Sequence, residues 1–177
     1  VDPNMRWGRT LRRRLERWSR LGLLRHPIAT SSLKMITMFR AISRLVPPCV
    51  LWANIRFTCN GVCTARQFQE RCCCLLHPQC SGYDAIEHYI YCDSFRTVAR
   101  RNLNLPDYDP SLSLLANHVD VDVAALYACL VYGWCTVVQT SRAQWRTEGV
   151  VVVTPEDGAD SIWQHIRAAA SLSPALP

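Results

Sequence analysis

At 177 residues with 49% hydrophobic side chains, the chain suits one domain or two small ones. It can bury a core without disulfide staples, which argues against a small secreted scaffold as the reason for its ten cysteines. The formal charge of +6 is unevenly placed: residues 1–104 hold 17 basic and 6 acidic side chains, a net of +11, whereas residues 105–177 hold 3 and 8, a net of −5.

Residues 6–25 hold eight arginines, with Trp7, Leu11, Leu15, Trp18, Leu21 and Leu24 between them. This reads as an amphipathic basic helix, solvated on its charged side by default. A transit peptide, or a helix lying on nucleic acid or membrane, has the same composition. The first residue, valine, reads as the start of a fragment or a processed product. Ile28, Leu33, Ile36, Met38, Phe39, Ile42 and Leu45 predict a helix over 28–46, stopped by Pro47-Pro48. Residues 49–58 read as a short apolar helix or strand ending near the turn signal Asn60-Gly61, and residues 64–70 as a short helix.

Residues 72–92 contain five cysteines and two histidines. Cys80, His88 and Cys92 have seven and three residues between them, spacings suited to gripping one zinc ion. Disulfides and buried idle thiols are the bland readings, and neither explains the His88 spacing. Asp84 and Glu87 have capping-box spacing, which predicts a helix from Ala85 with His88 and Cys92 one turn apart on one face. Ile86 and Ile90 then pack under the site, and Gly82 supplies the turn before it. The remaining ligand is open among Cys72, Cys73, Cys74 and His77. His77 has the tighter spacing to Cys80, while thiolate chemistry favours a cysteine.

Residues 94–103 read as a basic amphipathic helix with Arg96, Arg100 and Arg101 outward and Phe95, Val98, Ala99 and Leu103 inward. The charge balance reverses at the linker 105–110. A short helix over 111–118, a long apolar helix over 123–146, an extended segment over 150–153 and a last helix over 156–170 complete the chain. The uncharged run 123–138 has 16 residues, short of the roughly 20 that a membrane helix needs, so a buried helix is the better reading. The expected architecture is mostly α, a helical bundle with a small zinc-knuckle insertion. Its segments are a basic helical part (1–48), the knuckle module (49–104) and an acidic helical part (105–177).

The order Asn60-Gly61-Val62-Cys63-Thr64-Ala65-Arg66-Gln67-Phe68, the cysteine cluster and then Asp84-Ala85-Ile86-Glu87-His88-Tyr89-Ile90-Tyr91-Cys92 resembles a known arrangement. It is similar to the region after the polymerase domain in reverse-transcriptase-like proteins of non-LTR retrotransposons, of the type found in dinoflagellates. The resemblance covers roughly residues 50–140, strongest over 60–92. It implies Cys74, Cys80, His88 and Cys92 as zinc ligands, RNA or DNA as partner, and an intracellular, nuclear setting. The long approach from Cys72 to Cys80 departs from the family pattern. No Asp-Asp pair of the kind that holds two catalytic metals occurs, so RNA-directed DNA polymerase activity is expected of a parent protein and not of this chain.

The leading expectation is therefore a zinc-dependent nucleic-acid-binding module, without enzymatic activity and without a membrane partner. Arg66, Arg71, Arg96, Arg100 and Arg101 are its phosphate contacts. Lys34 is the only lysine, and arginine forks suit phosphate. A coding bias explains the arginines equally well, because Arg142, Arg146 and Arg167 lie outside the basic half. Two alternatives stand beside this. One is a structural or partner-binding helical protein with a decayed metal site, using 123–146 as its contact surface. The other is a metal-dependent endonuclease drawing on Asp107, Asp120, Asp122 and Glu148. Turns and helix starts account for those carboxylates locally, and no lysine follows Lys34 to complete such a site.

Overall fold

Leu11, Leu15 and Trp18 recur at helical spacing in α1 (Pro3–Arg20), and all three are buried while Arg12, Arg13, Arg14 and Arg20 face solvent. The apolar side of this arginine-rich helix is therefore spent on the chain's own core. The computed structural model describes residues 3–59, 61–62, 64, 74–76, 80, 82–105, 107–148 and 155–171, with the side chains of 3–10, 145, 146, 148 and 155 outside that description. The fold is mostly helical, with no strand among the described residues. The expected helix over 64–70 (beyond Thr64) and the extended segment over 150–153 lie outside the described residues.

The next helices follow the sequence pattern closely. α2 (Ile28–Ile42) buries Met35, Met38 and Ile42. Pro47 then precedes α3 (Pro48–Thr58), placing a proline where a first-turn N–H would be unbonded anyway. Residues 49–58 are thus helical, the first of the two options their sequence allows. The buried Asn54 amide donates to Val50 O and to Ala128 O, each at 2.9 Å, fastening α3 to α6 (Val121–Glu148).

α6 is the central helix and packs against α2, α3, α5 (Asp93–Arg101) and α7 (Pro155–Ala170). Asp120 starts it, its carboxylate accepting from the backbone N–H groups of Asp122 and Val123. By length and composition Val121–Gln144 could cross a membrane, yet 67% of its most apolar stretch is buried inside this fold. Gly133 lets α7 close on it, since a Cβ there would sit 2.7 Å from Ile162 O.

The buried side chains of all three segments join one contiguous cluster. At its centre, Trp134 is surrounded by Phe57, Tyr89 and Phe95, with ring centroids 5.6, 5.0 and 6.5 Å away, and Trp18 continues the set against Phe57 at 5.3 Å. Residues 111–118 differ from the expected single helix. They form two 3-10 turns, Pro110–Ser113 and Leu115–Asn117, with Leu114 extended between them. The cause is Asn117, whose amide donates to Leu23 O and Ser111 O while its Oδ1 accepts from Arg25 N–H. One regular helix through this segment would break that junction with the α1–α2 connection.

Candidate metal centre

Cys74, Cys80, His88 and Cys92 are brought together from a loop, a second loop, a one-turn helix and a helix cap. One ligand atom from each lies within 4.8 Å of every other. Cys74 Sγ and Cys92 Sγ are 3.7 Å apart, and Cys80 Sγ is 3.3 Å from His88 Nε2. The first distance is far beyond a disulfide bond of about 2.05 Å, and the described cysteines are all free. Cys74 and Cys92 are buried, while Cys80 and His88 are half-buried. Among the described residues this is the one cluster of three or more His, Cys, Asp or Glu side chains able to share an ion. The carboxylates Asp107, Asp120 and Asp122 form no such group there.

The local build departs from the expected continuous helix. α4 (Ile86–Tyr89) is a single turn capped by Ala85, and the chain pivots through Ile90 and Tyr91 before Cys92 caps α5. His88 and Cys92 therefore stand on two short helices. Asp84 does not cap α4. It is fully buried, accepts a hydrogen bond from Tyr89 Oη at 2.7 Å and pairs with the Arg142 guanidinium of α6. Glu87, the other half of the expected capping box, pairs with Arg17 of α1. Ile86 and Ile90 are buried beneath the site as their spacing predicts.

Four contacts hold the loops to this frame. Cys74 N–H donates to Gly82 O at 3.0 Å, and Leu75 N–H donates to Tyr89 Oη at 3.3 Å. Gly82 lies against the His88 ring, where a Cβ would fall 2.0 Å from Cε1, so any larger residue would force the ring to move. On the opposite side Gly158 of α7 lets Leu76 O approach, a Cβ there being 2.8 Å from that oxygen.

Cys74 and Cys92 behave as a donor–acceptor pair. The hydrogen bond from Cys74 pulls the Cys92 thiol down against the opposing effect of burial, helped by His88 and by the Ser94 N–H at the start of α5. The same bond, with burial, pushes Cys74 up. The arrangement thus favours an anionic sulfur at Cys92.

The expected phosphate contacts are placed less tightly. Arg100 and Arg101 are exposed in the last turn of α5, about 12 Å along the helix from Cys92. Arg96 lies 3.6 Å from Asp93 on the same helix. Arg66 and Arg71, and the alternative ligands Cys72, Cys73 and His77, lie outside the described residues. Sequence reasoning missed the link between α1 and the site. Arg17 ties α1 to α4, and Trp18 Nε1 donates to Thr58 O at 3.2 Å, so the arginine face of α1 is fixed beside the cluster. The Leu11–Leu15–Trp18 spacing was the available signal. No protein family, curated protein or solved structure matches the chain.

Proposed function

We propose that this chain is a zinc-stabilised nucleic-acid-binding module. The observation that carries the reading is the convergence of three thiols and one imidazole within 4.8 Å. Zinc bound tetrahedrally has Zn–S distances of about 2.3 Å, which puts two sulfur ligands about 3.8 Å apart. The 3.7 Å between Cys74 and Cys92 fits that edge, and the 3.3 Å between Cys80 and His88 Nε2 is close to the slightly shorter sulfur–nitrogen edge. Four protein ligands leave no open position, so the site is structural and not catalytic. Bound there, zinc would cross-link the two loops to α4 and α5.

The partner follows from charge. Arg12, Arg13, Arg14 and Arg20 project from α1, and Arg100 and Arg101 from α5, all within the half of the chain with net charge +11. Such a surface suits phosphate, with affinity that falls as rising salt makes counterion release less favourable. The reading is compatible with the resemblance to the post-polymerase part of a retroelement reverse-transcriptase-like protein, where the module would hold RNA or DNA and any polymerase would lie elsewhere in the parent.

Two measurements on the native chain test this. Metal analysis should give one zinc per chain, and fluorescence anisotropy with labelled RNA and DNA should show low-salt binding that weakens steeply as salt rises. A zinc-free chain that ignores nucleic acid at low salt ends the proposal. A zinc-bearing chain that ignores it supports the structural alternative. The Gly82 contact gives a sharper expectation. Gly82→Ala should displace the His88 ring and weaken zinc by roughly 10–100-fold, as other losses of ligand support do, read by competition with a chromogenic chelator.

A further inference from the structure

A groove between α3 and α6 has a different chemistry from the metal centre. It encloses about 180 Å³ and is lined by Cys49, Trp52, Arg56, Tyr132, Thr136 and Gln139, among others. Trp52 is 58% exposed, although Val50, Ala53 and Phe57 of the same helix are buried. A large aromatic face in water is thus left beside a half-buried Tyr132 ring. Arg56 lines the same groove and is anchored by its Nε, which donates to Gly61 O at 3.1 Å. Gln139 adds an exposed amide that both donates and accepts.

The Trp18–Thr58 hydrogen bond fixes α1 beside the C-terminal end of α3, the helix that carries Trp52 and Arg56. Arg14 lies close enough to Cys59, the C-cap residue of α3, to counter part of the rise that burial imposes on that thiol. A ligand spanning the two places would meet phosphate-binding guanidinium groups at one end and ring faces at the other.

We infer that this groove is a nucleobase-stacking subsite for single-stranded nucleic acid, with Trp52 as the stacking face and Arg56 and Gln139 contacting the base edge or adjacent phosphate. The inference rests on the nucleic-acid reading above and narrows it. A flat ring with polar edges matches an aromatic wall with a polar rim, whereas an aliphatic ligand would make no use of the Arg56 guanidinium or the Gln139 amide. A duplex keeps its base faces stacked internally, so it cannot use Trp52 in this way.

The test uses the zinc-loaded full chain with labelled single-stranded and duplex oligonucleotides of equal length. Base–aromatic stacking contributes about 1–3 kcal/mol per base. Trp52→Ala should therefore weaken single-strand binding by roughly 5–150-fold. Duplex binding and zinc content should be unchanged, and Trp52→Phe should restore most of the loss. An equal loss on both substrates, or none on the single strand, overturns the subsite and leaves the module reading standing. Failure of the unaltered chain to bind either substrate at low salt overturns both.

Discussion

If the cluster holds zinc as proposed, Cys92→Ser is expected to abolish that binding and to unfold the segment the ion would cross-link. Cys92 sits at the joint of the motif: its sulfur faces Cys74, His88 shares its site, and its backbone caps α5. Serine keeps the cap but replaces the thiolate, the ligand that zinc holds most strongly, by a hydroxyl that stays protonated at neutral pH. Structural zinc binding in small motifs reaches about 10–16 kcal/mol near pH 7. Whole domains are stable by only about 5–15 kcal/mol. Removing one of four ligands therefore outweighs most other single changes available in this chain. Zinc should fall from one ion per chain to near none, with a loss of helical signal and a broad, poorly cooperative melt. Chelator treatment of the unaltered chain should reproduce that melt. Cys49→Ser is the control, because Cys49 is exposed and outside the cluster. Its effect should stay within about 0.5 kcal/mol. A chain whose melting is the same with and without chelator would remove the basis for a structural metal.

The same cluster shows where sequence reasoning stops. The sequence pattern gives α1, α2 and α7 within a few residues, leaves α3 open between helix and strand, and starts α6 two residues late, with Asp120 as one of two carboxylates suited to begin it. The spacing of Cys80, His88 and Cys92 points at three side chains that do lie together. What local rules misread is how they meet. A capping role for Asp84 would be worth about 1 kcal/mol. Leaving a buried guanidinium without its carboxylate costs about 3–5 kcal/mol, so the distant Arg142 wins the side chain and α4 starts one residue later at Ile86. The pivot after Tyr89 has a similar origin. One straight helix would keep His88 and Cys92 about 5–6 Å apart with parallel side chains. Breaking it brings Cys92 to the N-terminal end of α5, where the Ser94 N–H reaches its sulfur and Cys74 comes within 3.7 Å. Neither Arg142 nor Cys74 is signalled by the residues next to Asp84 or Cys92, which is why no local pattern reveals the junction.

Arg142→Ala should give the other large loss, about 3–5 kcal/mol, or a fall in Tm of roughly 6–20 °C. The arginine is 6% exposed and its partner Asp84 is fully buried, so the pair is shielded from the screening that makes surface ion pairs weak. Alanine would leave the Asp84 carboxylate inside the core, stripped of its charge partner while still accepting from the Tyr89 hydroxyl. Tyr89 packs on Trp134 at 5.0 Å and is the neighbour of His88, so the strain would pass into both the aromatic centre and the ligand set. Zinc affinity should therefore fall together with stability, although Arg142 is not one of the four clustered residues. A double-mutant cycle separates the causes. Asp84→Leu with Arg142→Met removes both charges at once, and it should recover most of the loss because the buried desolvation cost disappears with the pair. The residual penalty, about 1–2 kcal/mol, belongs to the Tyr89 hydroxyl, which keeps the Leu75 N–H but loses the Asp84 acceptor. If Arg142→Ala instead costs less than about 1 kcal/mol, Asp84 is reached by water and the junction between α6 and the knuckle is not what holds His88 in place.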